Sequence, residues 1–332
     1  MTESLFQRSA LASGLVEQQE LADAIAALRQ ADGAEAAVSD ERLAEKLIES
    51  GRLNAWQAAR LREGRTTFTL GPYRILGKIG EGTLGQVYKA EHSVMGRVVA
   101  VKVLPAKHST PAVIASFTEV IRTHAQLDHK RLVRAYDAGH DRNAHFLVTE
   151  YVPGADLRQM VRRQGKLDMQ TAADIFCQAA DGLAYIHRHG LVHRDLKPTN
   201  LLISTEGNAK ISDLGLAGCF NVADLADETE ERVIGSPDYL APEQGADPDR
   251  PLPANDIYAL GCTLYYAVTG KAPFPGGTPV EKARAHREQL PRHPRLLNPE
   301  LSDEFVDIIA DMMEKNPQDR IPSAEEVIAR LS

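Results

Sequence analysis

At 332 residues the chain is long enough for about two domains, or for one large two-lobed domain with an appendage. Apolar residues make up 43% and charged residues 25%, the proportions of an ordinary soluble globular protein. The formal net charge of −8 argues against nucleic acid or an anionic membrane surface as the main partner. Three isolated cysteines, Cys177, Cys219 and Cys262, match no metal template and suggest a reducing compartment. No run of about 18 apolar residues is present to cross a bilayer. Residues 1–8 lack the basic flank and apolar core of a signal peptide, so the cytoplasm is the expected location.

The first 66 residues are rich in Ala, Leu, Glu, Gln and Arg, with apolar residues at helical spacing: Leu21, Ile25 and Leu28, then Leu43 and Leu47. Two stretches, Leu11-Ala-Ser-Gly-Leu-Val16 and Ile48-Glu-Ser-Gly-Arg-Leu53, each pair a Ser-Gly helix stop with a new helix-like segment, the second carrying Trp56. The pattern predicts a bundle of about four helices ending near Gly64. It serves either as a packing appendage or as an interaction or regulatory module with its own partner. Residues 67–72 read as a linker. From Phe68 the sequence alternates and carries Gly71-Pro72, a turn between strands. Strands are predicted at 86–89, 97–104 and 144–150, with a helix at 111–127 between them. Helices dominate afterwards, at 169–187, 256–269, 303–315 and 324–331.

Gly80-Glu-Gly-Thr-Leu-Gly85 followed by Val87 is a glycine-rich loop in which backbone amides can approach phosphate oxygens. The same spacing fits a dinucleotide-binding turn, but that turn needs an acidic residue about 20 positions on. Here Lys102 arrives instead, 17 residues after Gly85, at the end of Val99-Ala-Val-Lys102. In His193-Arg-Asp-Leu-Lys-Pro-Thr-Asn-Leu201 a carboxylate, Asp195, and a carboxamide, Asn200, stand five positions apart. Such a pair suits a site that holds a hydroxyl nucleophile beside a metal-bound nucleotide. Asp213 of Asp213-Leu-Gly215 follows Asn200 by 13 residues, and together they offer oxygen ligands for Mg²⁺. His187, His189 and His193 have no cysteine at ligand spacing, and His187 and His189 read as a helix end rather than a zinc site.

This ordered set, completed by Ala241-Pro-Glu243, resembles the eukaryotic-type (Hanks-type) protein kinase family over residues 73–332. The resemblance implies an α+β, two-lobed fold: a small antiparallel β-sheet lobe plus a helix over 73–152, and a larger helical lobe over 153–332. The helical lead-in resembles those of bacterial serine/threonine kinases of planctomycete type. The implied activity is transfer of the γ-phosphate of Mg-ATP to Ser or Thr hydroxyls of proteins, autophosphorylation included. In that family pattern Asp195 accepts the hydroxyl proton, Lys197 marks serine/threonine specificity with Ser236 as its partner, and Asn200 and Asp213 hold magnesium. The ATP contacts implied are Ile79, Gly80, Gly82, Gly85, Val87, Ala100, Lys102, Glu150, Val152, Asp156 and Leu202, with Thr149 as gatekeeper. Asp256 would tie the catalytic loop to a large helix, and Arg320 would pair with Glu243.

One helix departs from the pattern. Phe117 and Leu127-Asp-His129 fix a register that puts Val120 where a glutamate should pair with Lys102; Glu119 sits one residue earlier, rotated by about 100°. His124 falls where an apolar spine residue is expected. Two readings follow: an active kinase in which Glu119 or another acid substitutes, or a weak or inactive nucleotide-binding scaffold. Retention of Asp195, Asn200, Asp213 and Lys102 favours activity. Arg194 resembles the arginine that grips a phosphorylated activation segment, and here Thr229 is the lone acceptor among Asp224, Asp227, Glu228, Glu230 and Glu231. Either Thr229 is the phosphosite, or the acidic run supplies the charge, or the segment is a solvated loop.

Overall fold

The computed structural model describes residues 3–32, 38–82, 85–104, 110–215, 236–247 and 250–332. By compactness the chain divides into residues 1–105 with 138–151, and residues 106–137 with 152–332.

The first unit opens with four helices, α1 (Leu5–Ser13), α2 (Gln18–Asp32), α3 (Asp40–Glu49) and α4 (Ala55–Arg62). Each stop and start has a local cause. Ser4 and Gln7 close a capping box on α1, Asn54 and Gln57 close one on α4, and Ser39 caps α3. Gly14 and Gly51, the second residues of the two Ser-Gly pairs, both take left-handed conformations that end a helix. Phe6, Leu21, Leu28, Leu43, Leu47 and Leu61 form the bundle core, and Phe68 from the connecting segment plugs into it. A fully buried Phe or Leu contributes about 1.5–3 kcal/mol, enough for a core this size to order the four helices.

A six-stranded sheet follows, built from β1 (Thr69–Leu70), β2 (Tyr73–Gly82), β3 (Gly85–His92), β4 (Val98–Val103), β5 (Ala135–Asp141) and β6 (Ala144–Glu150). Its order is β1-β2-β3-β4-β6-β5. Alternation in β4 sends Val99 and Val101 into an apolar layer with Tyr73, Ile75, Ala90, Phe146 and Val148, which leaves Ala100 and Lys102 on the opposite face. Trp56 of α4 packs on both the bundle core and this layer, and so joins the bundle to the sheet. Strand β2 is irregular: its register against β3 shifts between Ile75 and Gly77 and again between Lys78 and Gly80.

The second unit takes in helix α5 (Pro111–Ala125), which the sequence had suggested would go with the strands. The cause lies on its inner face. His124 Nε2 lies 2.9 Å from the carbonyl of Val133, and Val120 packs beside Gly215. A small sheet of β7 (Gly154–Asp156), β8 (Leu201–Ser204) and β9 (Ala209–Ile211) is surrounded by helices. These are α6 (Leu157–Gln164), α7 (Met169–Arg188), α8 (Pro242–Ala246), α9 (Pro253–Thr269), α10 (Pro279–Glu288), α11 (Asp303–Met312) and α12 (Ala324–Leu331). Helices α7 and α9 are the two largest contributors to the core, with Phe176, Leu183, Ile186, Tyr258 and Leu264 among their residues. Arg320, whose side chain is fully buried, pairs with Glu243 at 2.8 Å. Among the described residues no helix is long and apolar enough to cross a membrane.

Candidate active site

The loop between α7 and β8 is organised by Asp256, a carboxylate 1% exposed near the start of α9. Its Oδ2 accepts from the backbone N–H of His193 at 2.8 Å and its Oδ1 from that of Arg194 at 3.0 Å. A third donor is His187 Nε2, 2.8 Å from Oδ2. These bonds hold Arg194 at φ +68°, a conformation that costs a non-glycine residue about 1–3 kcal/mol. A buried carboxylate accepting three hydrogen bonds offsets such strain. Gln244 adds a further tie, its Nε2 donating to the Arg194 carbonyl at 3.0 Å.

Asp195 follows at once, fixed from several sides. Lys197 Nζ lies 2.5 Å from its Oδ2, and the backbone N–H of Ser236 donates to its Oδ1 at 3.0 Å. Lys197 also donates to Ser236 Oγ at 2.8 Å, closing a ring of acid, lysine and hydroxyl. Asn200 Nδ2 donates to the Asp195 carbonyl at 2.7 Å. Its Oδ1 accepts from the Thr199 hydroxyl at 3.5 Å.

Asp213 is brought to the same place through the backbone. The Ser212 N–H donates to the Asn200 carbonyl at 2.9 Å, and His193 Nε2 donates to the Ser212 carbonyl at 2.8 Å. Asp213 itself sits at φ +65° and Gly215 at φ +68°, so the chain turns sharply as it leaves β9. An amide oxygen and a carboxylate are the hard donors a small divalent cation takes, so the chemistry of Asn200 and Asp213 fits magnesium. The three histidines do not converge. His187 faces Asp256, His193 faces Ser212, and His189 Nδ1 lies 2.8 Å from the Tyr185 carbonyl. His187 is thus an anchor of the loop between α7 and β8 and not merely a helix-end residue, a role its sequence neighbours give no sign of.

On α5, Val120 lies in contact range of Gly215 (3.6 Å from the Cβ a side chain there would carry), whereas Glu119 is exposed. The helix is neither overwound nor bulged to bring Glu119 inward. His124 is 3% exposed, and its Nδ1 has no hydrogen-bond partner among the described residues. Burial lowers its pKa, partly opposed by the Val133 carbonyl and by the charge of Asp213.

In the first unit the strand register sets Gly80, Val87 and Lys102 in one row across β2, β3 and β4. Ala100 pairs with Thr149, and Val99 with Glu150. Ile79 is exposed beside Gly80, and the register closes with Gly82 opposite Gly85. In the second unit Asp156 and Leu202 are cross-strand partners, and Val152 lies just ahead of β7. Asp156 doubles as the N-cap of α6, accepting from the Gln159 N–H at 2.8 Å, and burial raises its pKa. Thr229 lies outside the described residues.

A two-lobed architecture with this loop constellation defines a protein kinase. The protein kinase domain family matches residues 73–330, and the chain belongs to it. A probable serine/threonine-protein kinase of Clostridium acetobutylicum is 33% identical over 78% of this chain and 39% of its own length. Serine/threonine-protein kinase PrkC of Bacillus subtilis is 34% identical over 79% of this chain and 40% of its own. For serine/threonine-protein kinase PknA of Mycobacterium tuberculosis the values are 36%, 76% and 59%. The chain therefore spans about two fifths to three fifths of the length of these relatives. Among solved structures, Rad53 residues 1–466 in complex with AMP-PNP superposes with a TM-score of 0.64 at 26% identity, covering 83% of this chain and 68% of that one.

Proposed function

We propose that this chain is a serine/threonine protein kinase that transfers the γ-phosphate of Mg-ATP to Ser or Thr hydroxyls of proteins, itself among them. The observation that carries the reading is the ring of Asp195, Lys197 and Ser236, with Asn200 braced against the Asp195 carbonyl. A carboxylate held this way accepts the hydroxyl proton as the oxygen attacks the γ-phosphorus and ADP leaves. Lys197 stabilises the charge that builds on the transferred group. Asn200 and Asp213 would hold magnesium, which neutralises phosphate charge when bound.

The backbone of Gly80, Gly82 and Gly85 and the ammonium of Lys102 meet the phosphates. Ile79, Val87, Ala100 and Leu202 flank the base, the backbone of Glu150 and Val152 reads its edge, and Asp156 takes the ribose. We assign residues 1–66 to a helical domain joined by 67–72 to a kinase domain at 73–332, in a cytoplasmic setting where Cys177 and Cys262 stay reduced. Arg194 and Thr229 form the regulatory pair of this reading. The scaffold alternative raised by Val120 finds no support among the relatives.

The test is transfer from labelled ATP with magnesium, to the chain and to a generic basic protein, with Asp195→Asn as control. Loss of a general base lowers transfer by about 10²–10⁴-fold. Equal transfer by both proteins would overturn the assignment.

A further inference from the structure

Strand β2 carries Gly80 and Gly82, yet its outer edge has almost no strand to pair with. Strand β1 is two residues long, and beyond it the Ile75 N–H donates to the Phe68 carbonyl at 2.8 Å. Leu76 is the extra residue of the first β2 bulge, and its carbonyl and that of Ile75 lie at this irregularity. Both are caught by side chains from the first turn of α4. Asn54 Nδ2 donates to the Leu76 carbonyl at 2.7 Å, and Gln57 Nε2 donates to the Ile75 carbonyl at 3.0 Å.

The same two amides form the α4 capping box through their oxygens. Asn54 Oδ1 accepts from the Gln57 N–H at 2.9 Å, and Gln57 Oε1 accepts from the Asn54 N–H at 3.1 Å. Each carboxamide is therefore used at both ends, and Gln57 is only 3% exposed. Between them Trp56, the only tryptophan of the chain, lies edge-on to Phe68 at 5.8 Å and to Tyr88 at 6.3 Å. A side chain at Gly77 would meet its ring at 4.0 Å.

We propose that Asn54, Trp56 and Gln57 are positioning residues of the kinase: they clasp the bulge of β2 and so set the pitch of the glycine-rich strand against the nucleotide phosphates. The bundle then belongs to the framework of the nucleotide site, and whatever binds the bundle acts on ATP affinity. The role rests on the kinase reading, since it concerns the same glycines. The bulge leaves one residue of β2 without a partner on β3. Two side-chain donors on consecutive carbonyls fix it only while α4 stays docked.

The amide chemistry allows the clasp to be separated from the helix. Asn54→Asp keeps the capping oxygen, because Asp and Asn are equally good N-caps, but cannot donate to Leu76. Asn54→Ser removes the amide Nδ2 donor and shortens the side chain without adding charge. Ser39→Asp adds a charge at the N-cap of α3, whose side chain bonds no strand, and serves as control. In the full-length chain, ATP affinity by calorimetry and the KM for ATP should weaken about tenfold in both Asn54 variants, the factor set by about 1.4 kcal/mol. The kcat should change less than about twofold, and Ser39→Asp should match the unaltered protein. Addition of ATP should also shift the Trp56 emission of the unaltered chain.

Unchanged ATP affinity in both Asn54 variants, with helical circular dichroism intact, overturns the proposal. So does a fall in kcat with no change in ATP affinity. Absence of transfer by the unaltered chain would sink the kinase reading alone, because ATP affinity is measured without turnover.

Discussion

Ser236 touches Asp195 twice, once through its own N–H and once through Lys197, so its hydroxyl and its backbone serve different ends. The N–H fixes the carboxylate directly at 3.0 Å, and any residue but proline at 236 supplies it. The hydroxyl takes one of the Lys197 protons at 2.8 Å and keeps the ammonium from swinging away. Removing it breaks one hydrogen bond to a charged donor, worth about 1.5–3 kcal/mol. Ser236→Ala should therefore lower kcat about tenfold or more with the KM for ATP little changed, and Ser236→Thr should restore it. Steady-state kinetics on the three proteins checks this, and equal kcat for alanine and serine would refute it. Asp256 shows the opposite economy: one carboxylate serves His187, His193 and Arg194, whose side chains and amides lie 62 to 69 positions away in sequence. No local pattern announces such a residue. The family resemblance marks Asp256, whereas His187 looks like any imidazole at a helix end.

Helix α5 is the element in which sequence and structure bear most directly on activity. Its register puts Val120 against Gly215 and Glu119 into solvent, as the anchors Phe117 and Leu127 indicate. An exposed side chain with no partner among the described residues is replaced at little cost, so Glu119→Ala should leave transfer within about twofold. A large loss in that assay would mean that Glu119 turns inward in the working enzyme. Helix α9 makes a packing prediction. A Cβ at Gly261 would stand 2.7 Å from Met312 Cβ, too close for α11 to keep its place. Gly261→Ala should cost about 1–3 kcal/mol, read as a lower denaturant midpoint for the helical unit; an unchanged midpoint would show that α11 moves aside freely. Helices α7, α11 and α12 were legible because each carries an apolar stripe at helical spacing and a recognisable N-cap. Other elements were not. Strands β7, β8 and β9 have only three or four residues, too few to show alternation, and α6 sets just Leu157, Met160 and Val161 among Arg and Gln. The Asn54-x-x-Gln57 capping box could be read as a helix start, but nothing near it in sequence points to β2 as the second use of its amides.

At the scale of the whole molecule, the helical unit contains buried histidines that must stay neutral, and this ties its stability to pH. His286 of α10 is fully buried, with Nδ1 2.9 Å from the Tyr258 hydroxyl. Its own carbonyl accepts from Lys315 Nζ at 2.7 Å, so a cation already sits close by. Burial first, and Lys315 second, push its pKa from 6.5 down to about 4. His124 is lowered too, again chiefly by burial. A histidine whose folded pKa lies below its unfolded value binds fewer protons when folded. Stability is therefore complete above about pH 6.5, begins to fall as the unfolded chain takes up protons, and goes on falling until the pH reaches the folded pKa. For His286 the window runs from pH 6.5 to about 4, a span that amounts to on the order of 3 kcal/mol when fully traversed. His286→Asn offers Tyr258 an acceptor oxygen in place of Nδ1 and removes the titration. Its unfolding free energy should run flatter than that of the unaltered chain between pH 6.5 and 4, the residual slope coming from His124 and the carboxylates. Denaturant titrations at half-unit pH intervals measure both curves. Parallel curves through that window would show that His286 is protonated in the fold at no cost, contrary to the burial and the Lys315 charge that surround it.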